Sequence, residues 1–319
     1  MGSGESELSE QLVEAIDDAV GGPYEGHRAA HAKGVLCAGT FTAGPDAARL
    51  STAAHLQGEP VRAHVRFSNG SGKPTTRDGT RDERGMATKF YLPDGSTTDI
   101  VGITLPAFFV RNVEDFLEFT RARRPDPETG QPDMERLGAF FGAHPEVQTA
   151  VQHHLSAPPP ESYARLGYNS LHAFAFTAPD GERRFVRYHW EPELGRGSIS
   201  EEEAAAAAPE YLADELRERL AKGSVGFRLE VAIAAEGDPT DDPTAVWPED
   251  REVVELGRLE ITGTADDRDR DGDVLVFDPT RVTDGNACSE DPILLARPGA
   301  YAVSVHRRSG AVREGTPAG

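Results

Sequence analysis

Val61, Ala63, Val65 and Phe67 alternate strictly with Arg62, His64, Arg66 and Ser68. Successive side chains of a strand point to opposite faces, so this run predicts a strand with one face suited to a core. Its other face carries two arginines and a hydroxyl beside His64. The same period recurs in Gly34–Ala43 (Val35, Cys37, Phe41), and in Phe227, Leu229, Val231 and Ile233. Further strands are predicted over Met86–Leu92, Glu255–Thr262 and Asp273–Phe277. Leu171–Thr177 and Arg183–Trp190 flank Pro179-Asp180-Gly181 and read as a hairpin. With 33 Gly and 23 Pro in 319 residues, the chain is too rich in turn formers for a helical bundle.

Helical spacing appears in three places. Leu8, Leu12, Ala15, Ile16 and Val20 repeat until Gly21-Gly22-Pro23 ends the pattern. Val113, Phe116, Leu117 and Thr120 follow Asn112, a good N-cap, and Met134–Leu155 is helical with a break near Pro145. Ser200 and Glu203 form a capping-box pattern ahead of an alanine-rich helix ending near Gly223. Ala265–Asp273 reads as an acidic loop and Gly310–Gly319 as a frayed tail. The expected architecture is α+β: one domain over residues 1–319, a barrel-like antiparallel sheet with inserted helices, residues 1–22 and 310–319 being peripheral.

A net charge of −21 repels phosphate backbones and anionic headgroups, so nucleic acid and membrane surfaces are poor partners and a small or neutral ligand fits better. No stretch reaches the length of a membrane span, and Met1–Glu10 lacks the basic and apolar regions of a leader; a cytoplasmic protein is expected. Cys37 and Cys288 stand far apart with no metal-ligand spacing and read as buried thiols. Neither a GxGxxG nor a GxxxxGK[ST] pattern opens a helix, which argues against dinucleotide or P-loop binding.

The chemistry centres on Tyr301, with Arg297 four residues before it and Arg307-Arg308 after it. A guanidinium one helical turn from a phenol favours the phenolate, and a phenolate is one of the few protein ligands of haem iron. Pro298 threatens to distort that turn. Other candidates are ambiguous taken singly: His31 as a loop imidazole, Ser68 as a strand hydroxyl, Arg28, Arg66 and Arg308 as surface charge, Phe108 and Phe116 as core.

Together they form an ordered series. Arg28-Ala29-Ala30-His31-Ala32-Lys33-Gly34 is followed by Arg66-Phe67-Ser68, by Asp82-Glu83-Arg84-Gly85-Met86-Ala87-Thr88-Lys89-Phe90-Tyr91, and by Gly102-Ile103-Thr104-Leu105-Pro106-Ala107-Phe108-Phe109-Val110-Arg111. Asp242-Pro243-Thr244-Ala245-Val246-Trp247-Pro248, Glu255-Leu256-Gly257-Arg258 and the Arg297/Tyr301 pair complete it. In these motifs the chain resembles the monofunctional haem catalase superfamily over about Tyr24 to Arg308. The resemblance is to its small, peroxidase-like branch, without a long N-terminal arm or helical C-terminal domain.

The resemblance implies haem b with ferric iron and Tyr301 as axial metal ligand, supported by Arg297. It implies that His31 takes a proton from peroxide and returns it to the departing oxygen, and that Ser68 orients the imidazole. Arg28, Arg66 and Arg308 would bind the haem propionates, with Phe108 and Phe116 lining the distal side. Ile103 departs from the pattern: the family places an asparagine there that helps hold peroxide, and isoleucine offers no hydrogen bond. The neighbouring Thr104 is a partial substitute. The expected activity is a peroxidase that reduces hydrogen peroxide or organic hydroperoxides with a small organic reductant and has weak catalase activity. The alternatives are an efficient catalase, an enzyme rearranging fatty-acid hydroperoxides, and a non-enzymatic haem binder. Homo-oligomerisation is left open.

Overall fold

The computed structural model describes residues 3–126, 128–266 and 274–314. Along the chain, helix α1 (Ser3–Val20) precedes strand β1 (Gly34–Ala43), a short turn of helix α2 (Ala47–Leu50), and strands β2 (Val61–Asn69), β3 (Arg84–Tyr91) and β4 (Thr97–Ile103). Helices α3 (Val113–Ala122), α4 (Met134–Ala143) and α5 (Val147–Ser156) follow, then β5 (Tyr168–Asn169), β6 (Phe174–Thr177) and β7 (Arg183–Pro192). The remainder is α6 (Glu201–Ala206), α7 (Tyr211–Lys222), β8 (Val225–Ile233), β9 (Val253–Thr264), β10 (Asn286–Cys288) and α8 (Pro292–Glu314).

The strands run β7-β5-β4-β3-β2-β1-β9-β8, and β8 pairs back onto β7, closing an eight-stranded antiparallel barrel. Closure removes the exposed edges that an open sheet would carry. β6 and β10 extend the sheet outward from β7. The alternation in β2 works as the sequence predicts: Val61, Ala63, Val65 and Phe67 join the barrel core with Phe41, Phe90, Trp190 and Phe227. Each such side chain contributes about 1.5–3 kcal/mol of burial, so the interior is the main source of stability. Where β1 bends past β9 at Ala38/Gly39, a Cβ on Gly39 would lie 2.4 Å from the Glu260 carbonyl; only glycine allows the strands to approach there.

A second core lies outside the barrel, where Leu12 and Ala15 of α1, Val113, Leu117 and Ala122 of α3, Phe140 of α4 and Ile293 of α8 pack together. Asn112 caps α3 by accepting from the Asp115 amide, and the α4–α5 break falls at Pro145, both as expected. Four expectations need correction. The alanine-rich segment is two helices, because Pro209 cannot continue α6 and the chain restarts at Tyr211. The strand predicted from Leu171 begins only at Phe174, since Leu171 has φ +62°. Residues 274–277 form no strand; the carbonyls of Leu275 and Val276 accept from Arg28 and Arg281 instead of a ladder partner. The helix α8 continues to Glu314 through the predicted tail, while residues 315–319 and the loop at 267–273 lie outside the described residues.

Candidate active site

Strand register builds one wall of a cavity of about 300 Å³. Gly34 on β1 pairs with Ser68 on β2, Ser68 with Gly85 on β3, and Gly85 with Ile103 on β4. Cross-strand partners share a face, so these four form a row on the outside of the barrel. The next row in that direction holds Arg66, Ala87 and Val101. Glycines on both sides of Ser68 make room for His31: a Cβ on Gly85 would lie 2.8 Å from Ser68 Oγ and 3.0 Å from His31 Nδ1.

His31 sits at φ +56°, a left-handed conformation that costs a non-glycine residue about 1–3 kcal/mol. Three contacts hold it there. Its amide donates to the Gly70 carbonyl at 3.0 Å, its carbonyl accepts from Arg66 Nη1 at 2.9 Å, and its Nδ1 lies 3.0 Å from Ser68 Oγ. Burial pushes the imidazole down to about 4, and the guanidiniums of Arg66 and Arg297 push the same way. The ring is therefore neutral at physiological pH and able to accept a proton.

The opposite wall is α8. Despite Pro298, the helix keeps Arg297 and Tyr301 one turn apart: Arg297 Nε and Nη2 donate to Tyr301 Oη at 3.0 and 2.6 Å. Arg297 Nη1 lies 3.1 Å from His172 Nε2, and His172 Nδ1 lies 2.6 Å from Asp291 Oδ2. A guanidinium can only donate, so His172 Nε2 accepts and the ring proton sits on Nδ1, facing the carboxylate. Burial holds His172 below the ordinary histidine range although Asp291 opposes the shift. Asp291 Oδ1 meanwhile accepts from the amides of Ile293 and Leu294, so one carboxylate caps α8 and anchors the chain that ends at Tyr301.

Every site residue expected from the sequence borders this cavity: Arg28, His31, Arg66, Ser68, Phe108, Phe116, Arg297, Tyr301 and Arg308, together with Ile103. Phe108 and Phe116 meet edge to face with centroids 5.4 Å apart, and the Phe108 amide donates to the Pro243 carbonyl, which ties the 242–248 motif to the wall. Thr104 does not replace the missing asparagine. Its Oγ1 accepts from the Arg84 amide at 3.1 Å, and Thr104 borders a separate outer cleft instead of this cavity. Leu12, Val13 and Ile16 of α1 roof the cavity, and Arg307, grouped in sequence with Arg308, instead pairs with Asp17 of that helix at 2.6 Å.

Sequence reasoning did not single out His172 or Asp291, and it gave Gly85 and Glu83 no role beyond their place in a motif. Asp291 followed by Pro292 is a readable helix start, but nothing in sequence links it to His172, 119 residues away. The cavity suits a flat aromatic ligand with anionic edges and a hard metal. Small residues (Gly85, Ala87, Ala296, Ala300) leave its two faces open, five arginines border it among the described residues, and a phenol oxygen with two guanidinium donors stands opposite an imidazole.

The model of the family described as catalase matches residues 26–317. A protein of Mycolicibacterium paratuberculosis named catalase-related peroxidase is 44% identical over 305 residues, which cover 95% of this chain and 96% of that protein. A namesake from Synechococcus elongatus is 32% identical over 300 residues, covering 94% of this chain and 88% of its own. Among solved structures, a fungal catalase superposes with a TM-score of 0.79 at 26% identity, covering 88% of this chain and 59% of the fungal one. Catalase A of Saccharomyces cerevisiae superposes equally well at 25% identity, with 61% of its length covered.

Proposed function

The chain belongs to the catalase family, and on that premise we propose that it is a haem-dependent peroxidase reducing hydrogen peroxide or organic hydroperoxides with a small organic electron donor. The observation that carries this reading is the meeting of His31 and Ser68 with Arg297 and Tyr301 across one cavity. Haem b fits the residues present: Tyr301 would hold its iron, and Arg28, Arg66 and Arg308 would pair with its propionates. When bound, haem supplies an iron centre that takes oxidising equivalents from peroxide and passes them to the donor.

The side chains handle protons and position. Donation of the His31 Nδ1 proton to Ser68 Oγ leaves Nε2 as the acceptor for the peroxide proton, which it returns to the departing oxygen. Neutral His31 is required for the first step, and its lowered pKa supplies it. Arg297 directs two donors at the phenol oxygen of Tyr301 and so fixes that oxygen in place as a ligand. Ile103 itself offers no hydrogen bond to a second peroxide beside His31, so dismutation is weak and the organic donor completes the cycle.

An absorption spectrum and paired assays test the proposal. The haem-loaded protein is expected to show a high-spin ferric tyrosinate spectrum and to oxidise a phenolic dye faster than it evolves oxygen. Oxygen evolution at full catalase rates without dye oxidation would replace the peroxidase reading with catalase. A tyrosinate spectrum with neither activity would leave a haem binder.

A further inference from the structure

Glu83 stands in the wall between the main cavity and a small outer cleft, and borders both. The cleft, about 30 Å³, is also bordered by Asp82, His153, His154 and Glu201. Glu83 Oε1 lies 2.6 Å from Nδ1 of His154, in the last turn of α5, whose side chain is 34% exposed and so reaches solvent. Glu83 Oε2 lies beside Gly70, where a Cβ would be 3.3 Å away, and Gly70, whose carbonyl anchors the His31 amide, borders the main cavity. On the same side of the cavity Ile103, Phe108, Phe109, Val113 and Phe116 are apolar, so Glu83 and His154 form a polar seam through a hydrophobic wall.

We propose that His154 and Glu83 form a proton relay from the outer cleft to the His31 side of the cavity. The proposal rests on the peroxidase reading above. Reduction by a one-electron organic donor, ROOH + 2 AH → ROH + H2O + 2 A•, is proton-neutral overall. A donor that delivers its electron at the edge of the cavity releases its proton to bulk water, however, so two protons must re-enter beside His31 in each cycle. His154 Nδ1–H hands a proton to Glu83 Oε1, Glu83 releases one from Oε2 into cavity water that reaches His31, and solvent reprotonates His154.

The surrounding charges set the resting state of the seam, with the proton on His154 and Glu83 ionised. Asp82 adjoins Glu83 and accepts from the Ser71 amide; burial and the Glu83 charge raise it. Burial alone would raise Glu83 too, but the hydrogen bond and charge of His154 outweigh it and hold Glu83 ionised. The same hydrogen bond raises His154. Arg84 lies 3.9 Å from Asp82, Arg81 pairs with Glu201 and donates to the His154 carbonyl, and Arg123 and His153 complete the charged or titratable groups facing the seam.

The test compares wild type with Glu83→Gln, Glu83→Asp and His154→Gln at pH 8 under saturating donor. Glu83→Gln and His154→Gln should each slow peroxide reduction about tenfold, with a rate that climbs with buffer concentration, while Glu83→Asp retains most of the activity and no buffer dependence. Independently of haem, NMR titration should show the His154 pKa falling in Glu83→Gln. A loss insensitive to buffer, an unchanged rate in both variants, or an unmoved His154 titration would overturn the relay. A wild-type protein without peroxidase activity would instead overturn the functional reading.

Discussion

The wall carrying Tyr301 hangs on one helix, whereas the wall carrying His31 is assembled from a loop and four strands. On the helical wall four side chains, Tyr301, Arg297, His172 and Asp291, form an unbroken hydrogen-bonded chain that ends on the carboxylate capping α8. On the strand wall the polar chain is short, from His31 to Ser68, and the next residue but one along the row is Ile103. Each wall stores one left-handed non-glycine residue beside its histidine: His31 itself on one, Leu171 next to His172 on the other. The helical wall thus presents a phenol oxygen fixed by a charged relay, and the strand wall an imidazole backed by one hydroxyl.

Single substitutions should separate the two walls most sharply. His31→Ala is expected to lower peroxide turnover at least about 100-fold with haem still bound, as loss of a general acid–base group does. Tyr301→Phe should lose the tyrosinate spectrum and retain haem poorly, measured by the haem-to-protein ratio after gel filtration. If both variants lose haem equally, the division of labour fails.

How legible each wall is in sequence follows from how it is built. Arg297 and Tyr301 lie four residues apart on one helix, a spacing that geometry alone makes meaningful. His31, Ser68, Gly85 and Ile103 were readable as separate motifs, but their common row depends on barrel register, which no local pattern fixes. His172 and Asp291 were invisible because they act only across chain separations of 125 and 119 residues. Strands such as β4 escaped notice for another reason: Thr97, Thr98 and Asp99 break the apolar alternation because Thr98 and Asp99 bond the 278–281 turn.

A subtler break in the helical wall is Asp291→Asn. One amide oxygen can serve either the α8 cap or the His172 proton, not both, so stability should fall by about 2 kcal/mol in a denaturant titration, with a shifted tyrosinate band. On the strand wall Ile103→Asn should raise oxygen evolution relative to dye oxidation by about fivefold, the worth of one hydrogen bond. No change would move the control of reaction choice elsewhere.

The smallest contrast concerns acid. His55, in the barrel interior against Phe90 and Phe41, is 1% exposed, and burial pushes it down to about 4. Its folded pKa is lower than its unfolded one, so the folded state excludes a proton that the unfolded state binds. Stability is therefore full above about pH 6.5 and declines as pH falls towards 4, by at most roughly 3 kcal/mol. His55→Leu should flatten the acid limb of a thermal melt against pH without changing peroxide turnover, unlike any change at His31.

The roof of the cavity comes from α1 and its floor from α8, with the Ala29 amide 3.5 Å from Ser304 Oγ across 275 residues of chain. Two helices nearly the whole described length apart in sequence thus meet over one cavity. All eight barrel strands precede α8 in the chain, so the barrel can close before the cavity has its second wall.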